Sequence, residues 1–180
     1  MDIEKVDKFI TSAIKGKIDI YTGIKAIKKD VEDFKKLSFS MNQYNHFLQL
    51  GYVQFEEQLT EILEKNPPTD DILAFNFGIY QSDFMFQLSI SGSLEWSEED
   101  EDWATNNDYF PNESFLKNSL YRKLYIYWRY NNNLGLFLTV VSTVMLINTY
   151  IDKHPNKFRP NTVFATGFDD GDLYTFRIKD

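Results

Sequence analysis

Leu134-Gly135-Leu136-Phe137-Leu138-Thr139-Val140-Val141-Ser142-Thr143-Val144-Met145-Leu146-Ile147-Asn148-Thr149-Tyr150-Ile151 is a run of 18 residues without a charge, and its placement decides the fold. Its length meets the lower limit for a helix that crosses a bilayer. Thr139, Ser142, Thr143, Asn148 and Thr149 dilute the run, however. Basic residues also flank both ends, Arg122, Lys123 and Arg129 before it and Lys153, Lys157 and Arg159 after it. Balanced flanks set no orientation across a membrane. The run is therefore expected as the buried central helix of a packed domain, and no membrane association is expected.

A helix that is apolar on all sides needs cover on all sides, and the neighbouring sequence supplies it. Pro111-Asn112-Glu113 predicts a helix start for residues 113–130, with Leu116, Leu120, Leu124 and Tyr127 as one stripe, and Asn131-Asn132-Asn133 breaks it. After the central run, a polar loop passes through His154-Pro155 and Pro160. Thr162–Thr166 and Leu173–Ile178 then form an expected hairpin around Gly167-Phe168-Asp169-Asp170-Gly171-Asp172.

Upstream, the hydrophobic period is two. Ile72, Ala74, Phe75 and Phe77 lead to Gly78, while Phe84, Phe86, Leu88 and Ile90 alternate with Met85, Gln87, Ser89 and Ser91. Residues 72–80 and 84–92 thus read as paired strands, with Gln81-Ser82-Asp83 as the turn. Further upstream the period becomes helical. Ile3, Val6, Ile10 and Ala13 mark one helix. Ile20, Ile24, Ile27, Val31 and Phe34 mark a second, with Asp19 or Thr22 as its cap. Ser40 and Gln43 fit a capping box for a third, whose stripe is Tyr44, Leu48, Tyr52, Phe55, Leu59 and Ile62. Gly51 interrupts it and Asn66-Pro67-Pro68 ends it.

The expected fold is α+β, about five helices packed with an antiparallel sheet of about four strands made from two hairpins. One domain, 1–180, holds a helical part (1–66) and a sheet-helix-sheet part (72–180). With 180 residues, 43% of them hydrophobic, the chain has material for one substantial core. No internal repeat or flexible linker divides it.

Charge and composition narrow the function. A formal charge of −8 argues against nucleic acid as a partner, because phosphate backbones are bound by neutralising them with Lys and Arg. A basic protein is the expected partner. The absence of cysteine removes disulfides and thiolate chemistry and fits a reducing cytoplasm. Met1-Asp2-Ile3-Glu4-Lys5 lacks the apolar run of a signal peptide, so export is not expected. Lys25, Lys28, Lys29, Lys35 and Lys36 form a basic helix face. That face makes the molecule bipolar and compatible with a homodimer.

Two acidic clusters are the candidate binding residues. Between Gly92 and Pro111, the carboxylates Glu95, Glu98, Glu99, Asp100, Glu101, Asp102 and Asp108 stand among Trp96, Trp103, Tyr109 and Phe110. Charges steer encounter and desolvated aromatics hold it, so this mixture suits recognition of a cationic protein. The plain alternative is a solvated loop pinned to the core by at least one of its tryptophans. The second cluster, Asp169, Asp170 and Asp172, sits at an expected hairpin tip. Asp-Gly turn chemistry explains it most simply, a contribution to an acidic face comes next, and an EF-hand ligand spacing is missing. His46 and His154 show no catalytic partner at diagnostic spacing, and Ser91-Gly92-Ser93 lacks the frame of a nucleophile elbow. No cofactor or metal is expected.

Asp102-Trp103-Ala104, Asp108-Tyr109-Phe110-Pro111 and Gly167-Phe168-Asp169-Asp170-Gly171-Asp172 give the C-terminal half a resemblance to the small cytosolic immunity proteins of bacterial polymorphic and contact-dependent toxin systems. The resemblance implies a protein that binds and neutralises a cognate toxin domain. The expected function is thus a non-enzymatic inhibitor whose acidic-aromatic surface covers a basic partner. The competing expectation is a metal-dependent hydrolytic enzyme using Asp169, Asp170 and Asp172.

Overall fold

The computed structural model describes residues 3–30 and 41–177. Val31 and Phe34 of the expected second helix, Lys35 and Lys36 of its basic face, the Ser40 cap and Ile178 lie outside the described residues. In chain order the elements are α1 (Ile3–Lys15), α2 (Ile20–Asp30), α3 (Met41–Lys65), β1 (Ala74–Gln81), β2 (Phe86–Ser93), a 3-10 helix (Glu101–Thr105) and β3 (Phe115–Leu116). They are followed by α4 (Ser119–Tyr130), α5 (Asn132–Lys153), β4 (Val163–Phe168) and β5 (Tyr174–Arg177). The fold is α+β.

α5 is the axis of the molecule. Leu134, Phe137, Leu138, Val140, Val141, Val144, Met145, Leu146 and Ile147 are all buried, because α1, α2, α3, α4 and β4 pack around this one helix. Among the described residues it is the one helix long and apolar enough to cross a membrane, and 78% of its apolar window is buried within the fold. The polar residues that interrupt it join it to its neighbours. Ser142 Oγ donates to the Leu138 carbonyl, leaving the buried Tyr44 hydroxyl of α3 to donate to Ser142 Oγ at 2.8 Å. Likewise Thr143 Oγ1 donates to the Thr139 carbonyl, so Tyr121 of α4 donates to Thr143 Oγ1 at 2.7 Å. Burial pushes both tyrosine hydroxyls well above their ordinary pKa, so they stay neutral donors. Asn148 Nδ2 donates to the Ile18 carbonyl at 3.0 Å, and Ile20 N donates to Thr149 Oγ1 at 3.1 Å. These bonds satisfy polar groups that would otherwise destabilise the core.

Glycine permits the tightest helix contacts. A Cβ on Gly135 would stand 2.2 Å from the Trp128 Cα, so the α4–α5 hairpin can close only around a bare backbone. At Gly51, a Cβ would meet the Leu120 Cβ at 2.7 Å, and the Gly51 carbonyl accepts a hydrogen bond from Asn118 Nδ2 at 2.8 Å. Close packing, rather than a weak helix, is the reason for glycine at 51. Farther along the chain, Thr22 N donates to Asp19 Oδ1 at 2.7 Å, and Asp19 N donates in return to Thr22 Oγ1. That reciprocal cap starts α2.

The sheet has five strands in the order β3-β2-β1-β4-β5, which corrects the expected four. It is also mixed. β1 pairs with β2 and β4 with β5 as antiparallel hairpins, but β1 and β4 run parallel from Ala74↔Val163 to Ile79↔Phe168. Parallel neighbours need a long crossover, and the α4–α5 pair supplies it. Residues 113–118, expected as helix, instead place Leu116 opposite Leu88 in β3, and the Ser114 carbonyl accepts from Ile90 N. α4 then begins where Asn118 accepts a cap bond from Leu120 N at 3.0 Å.

Alternation gives the sheet two unlike faces. Phe75, Phe77, Ile79, Leu88, Ile90, Phe164 and Phe176 face the helices, where Phe158 closes the aromatic cluster at 5.0 Å from Phe75 and 4.9 Å from Phe164. The other face carries small residues: Ala74, Asn76 and Gly78 on β1, Ser89, Ser91 and Ser93 on β2, and Val163, Ala165 and Gly167 on β4. Small side chains leave room for a further layer, and the acidic loop occupies it.

Candidate partner-binding site

The loop from Leu94 to Asp108 leaves the sheet at the end of β2 and is closed at its base. Gly92 N donates to the Tyr109 carbonyl at 2.8 Å and Tyr109 N to the Gly92 carbonyl at 3.0 Å, forming a bridge that returns the chain to the strand it left. Asp108 Oδ2 accepts from Leu94 N, and Ser93 Oγ accepts from Glu95 N and Asn106 Nδ2. Within the loop, Ser97 Oγ accepts from Glu99 N and Asp100 N, and Asp100 Oδ1 caps the 3-10 helix by accepting from Asp102 N at 2.9 Å. Asn76 Nδ2 of β1 donates to the Ala104 carbonyl at 3.1 Å. The loop is therefore held by its own turns, its base and the sheet beneath it.

The aromatics proposed as anchors serve this attachment. Trp103 is only 5% exposed and packs against Ala74, Val163 and Ala165, the small-residue face of the sheet. Tyr109 is also buried. Its ring meets Phe75 edge-on at 5.7 Å and its hydroxyl donates to the Asn66 carbonyl at 2.8 Å, and burial pushes that hydroxyl up to about 12. Trp96 is half-buried beneath the Arg177 guanidinium, 4.1 Å from its ring centre. The exposed apolar groups of the loop are instead Leu94 (41%) and Phe110 (51%) at its two ends.

The carboxylates divide by role. Asp100 and Asp108 accept backbone hydrogen bonds that shape the loop. Glu98, Glu99, Glu101 and Asp102 are exposed, and their carboxylates make no hydrogen bond or ion pair among the described residues. Glu98 lines a crevice of about 320 Å³ with Trp96 and Arg177, while Glu95, Asp100 and Asp102 line another of about 630 Å³ with Trp96 and Trp103.

Asp169, Asp170 and Asp172 do not join this group. They lie in the β4–β5 turn, beyond the Ile79↔Phe168 end of the parallel pair, whereas Trp103 sits at the Ala74↔Val163 end. Five residues of extended strand separate the two ends by roughly 17 Å. A single patch made of both clusters is thus not what the topology builds. Nor do three carboxylate or imidazole side chains converge for a metal ion anywhere among the described residues.

One polar cluster was illegible in the sequence. His154 Nε2 lies 2.9 Å from Glu56 Oε1, the same oxygen accepts from the Tyr52 hydroxyl at 2.9 Å, and Lys153 Nζ stands 3.7 Å away. Partial burial pushes the Glu56 carboxyl up, but the bonds from His154 and Tyr52 and the Lys153 charge outweigh it and hold the group below the usual 4.5. The cluster latches the middle of α3 to the end of α5, and its members are 98 residues apart in the chain. His46 is exposed.

Compared with protein-family models, curated proteins and solved structures, the chain matches none.

Proposed function

We propose that this chain is a non-enzymatic binding protein whose acidic loop covers a basic protein surface, acting as an immunity protein that neutralises a bacterial toxin domain in the cytoplasm. The observation that carries the reading is the set of four exposed carboxylates, Glu98, Glu99, Glu101 and Asp102, on a loop fixed by backbone bonds and by Trp103. A fixed loop loses little conformational freedom on binding, so more of the electrostatic attraction is retained as affinity. The carboxylates steer the encounter, and Leu94 and Phe110 at the loop's ends supply apolar contact. Trp103 and Tyr109 act indirectly by holding the loop in shape.

The test is capture from a lysate of the source organism with the immobilised wild type and with the E98Q/E99Q/E101Q/D102N variant, followed by identification of what each retains. The reading expects a basic protein held by the wild type and lost from the variant, with purified partner and wild type then forming a stable complex. Identical captured sets, or a captured partner that is acidic, would overturn it.

A further inference from the structure

The second acidic cluster of the fold borders a cavity that the loop site does not explain. Residues from α1 (Ile10), α4 (Trp128), α5 (Leu136, Phe137, Val140) and the β4–β5 hairpin (Phe168, Tyr174) enclose about 630 Å³, a volume in the range of small-molecule pockets. Ile10 and Phe137 are the buried floor, and Trp128, Phe168 and Tyr174 offer aromatic surface higher up. Asp169, Asp170 and Asp172 form the rim, and among the described residues no Lys or Arg lines the cavity. The rim is fixed, since Asp169 N donates to the Ile79 carbonyl at 3.2 Å and Gly171 N to the Phe168 carbonyl at 3.1 Å. Turn chemistry accounts for Asp170-Gly171 alone. It leaves the flanking Asp169 and Asp172, and the open apolar space beneath them, without a purpose.

We propose that this cavity binds a small organic cation, with an aryl or alkyl body seated between α1 and α5 and an ammonium or guanidinium head held at the Asp169–Asp172 rim. An apolar body is favoured by the floor, and the head gains both from the carboxylates and from the faces of nearby aromatic rings. An anion of the same shape meets like charge at the Asp169–Asp172 rim. Burial, together with the neighbouring carboxylates of Asp7 and Asp172, pushes the Tyr174 hydroxyl up to about 12, which agrees with a negative potential at the mouth. This site stands apart from the acidic loop and does not depend on the immunity reading.

Isosteric probes separate charge from shape. The full chain, ¹⁵N-labelled, is titrated with 2-phenylethylammonium, 2-phenylethanol and phenylacetate, and amide and indole shifts are followed by NMR. The ammonium should bind saturably, with shifts at Trp128, Leu136, Phe168 and Gly171. The alcohol should bind at least tenfold more weakly and the acid should not bind. D170N/D172N, altered only at exposed positions, should weaken the ammonium at least tenfold, and L136W should abolish binding by filling the space. Equal affinity for ammonium and alcohol, shifts centred elsewhere, full affinity in D170N/D172N, or saturable binding by none of the three would overturn the proposal.

Discussion

The Arg177 guanidinium lies 4.1 Å from the centre of the Trp96 ring, clasping the last strand of the sheet to the acidic loop. Trp96 is thereby covered from within the molecule. Arg177→Gln should release this contact, at a cost of about 1 kcal/mol or less for a cation–π pair near the surface. Amide hydrogen exchange from Ser97 to Thr105 should quicken in the variant while β1 and β4 keep their protection. Unchanged exchange in the loop would show that Trp103 and the Asn76 bond hold it without help.

The Tyr44–Ser142 bond gives a second expectation. Ser142→Ala removes the acceptor of a fully buried phenol, which should cost about 1–3 kcal/mol in urea unfolding. Adding Tyr44→Phe removes the hydroxyl that donated to it as well. The two losses share this bond and should therefore sum to less than additive, and strict additivity would contradict the assignment.

Gly135→Ala tests the α4–α5 contact. The added methyl must displace the Trp128 backbone, not a side chain that could swing aside, so a loss of about 1–3 kcal/mol is expected by overpacking. Thermal unfolding gives the readout. A variant as stable as the wild type would mean that the hairpin closes less tightly than described.

Acid should weaken the α3–α5 latch. Because the Glu56 carboxyl is held below its usual 4.5 in the folded chain, its ionised form stabilises the native state fully above that value, and the contribution is lost as pH falls through the lowered value. In unfolding measurements from pH 7 to pH 3, the stability difference between wild type and Glu56→Gln should be largest at pH 7 and shrink toward pH 3. A difference that grows on acidification would reverse the sign of the argument.

Local pattern made much of this fold legible. The Phe75/Phe77 and Leu88/Ile90 alternation located both strands of the first hairpin, and the spacing from Tyr44 to Ile62 located α3 with its buried face. What escaped is non-local. The parallel joint between β1 and β4 leaves no mark on either strand's own alternation, and a two-residue strand such as Phe115-Leu116 carries too little pattern to outweigh the proline that precedes it. At the loop, the density of charge was plain, but whether Trp103 pointed outward depended on a seat 29 residues upstream and 60 downstream, at Ala74 and Val163. The row of small residues, Ala74, Asn76 and Gly78 beside Ser89, Ser91 and Ser93, was the available signal that a second layer covers the sheet. The Glu56–His154 pair had no comparable trace.

Stopped-flow association between the captured basic partner and the chain, at about 20 and 200 mM salt, tests the acidic-loop proposal on its own terms. The wild type should associate at least tenfold faster than E98Q/E99Q/E101Q/D102N at low salt, and its rate should fall more steeply as salt rises. Equal rates and equal salt slopes for the two proteins would contradict it.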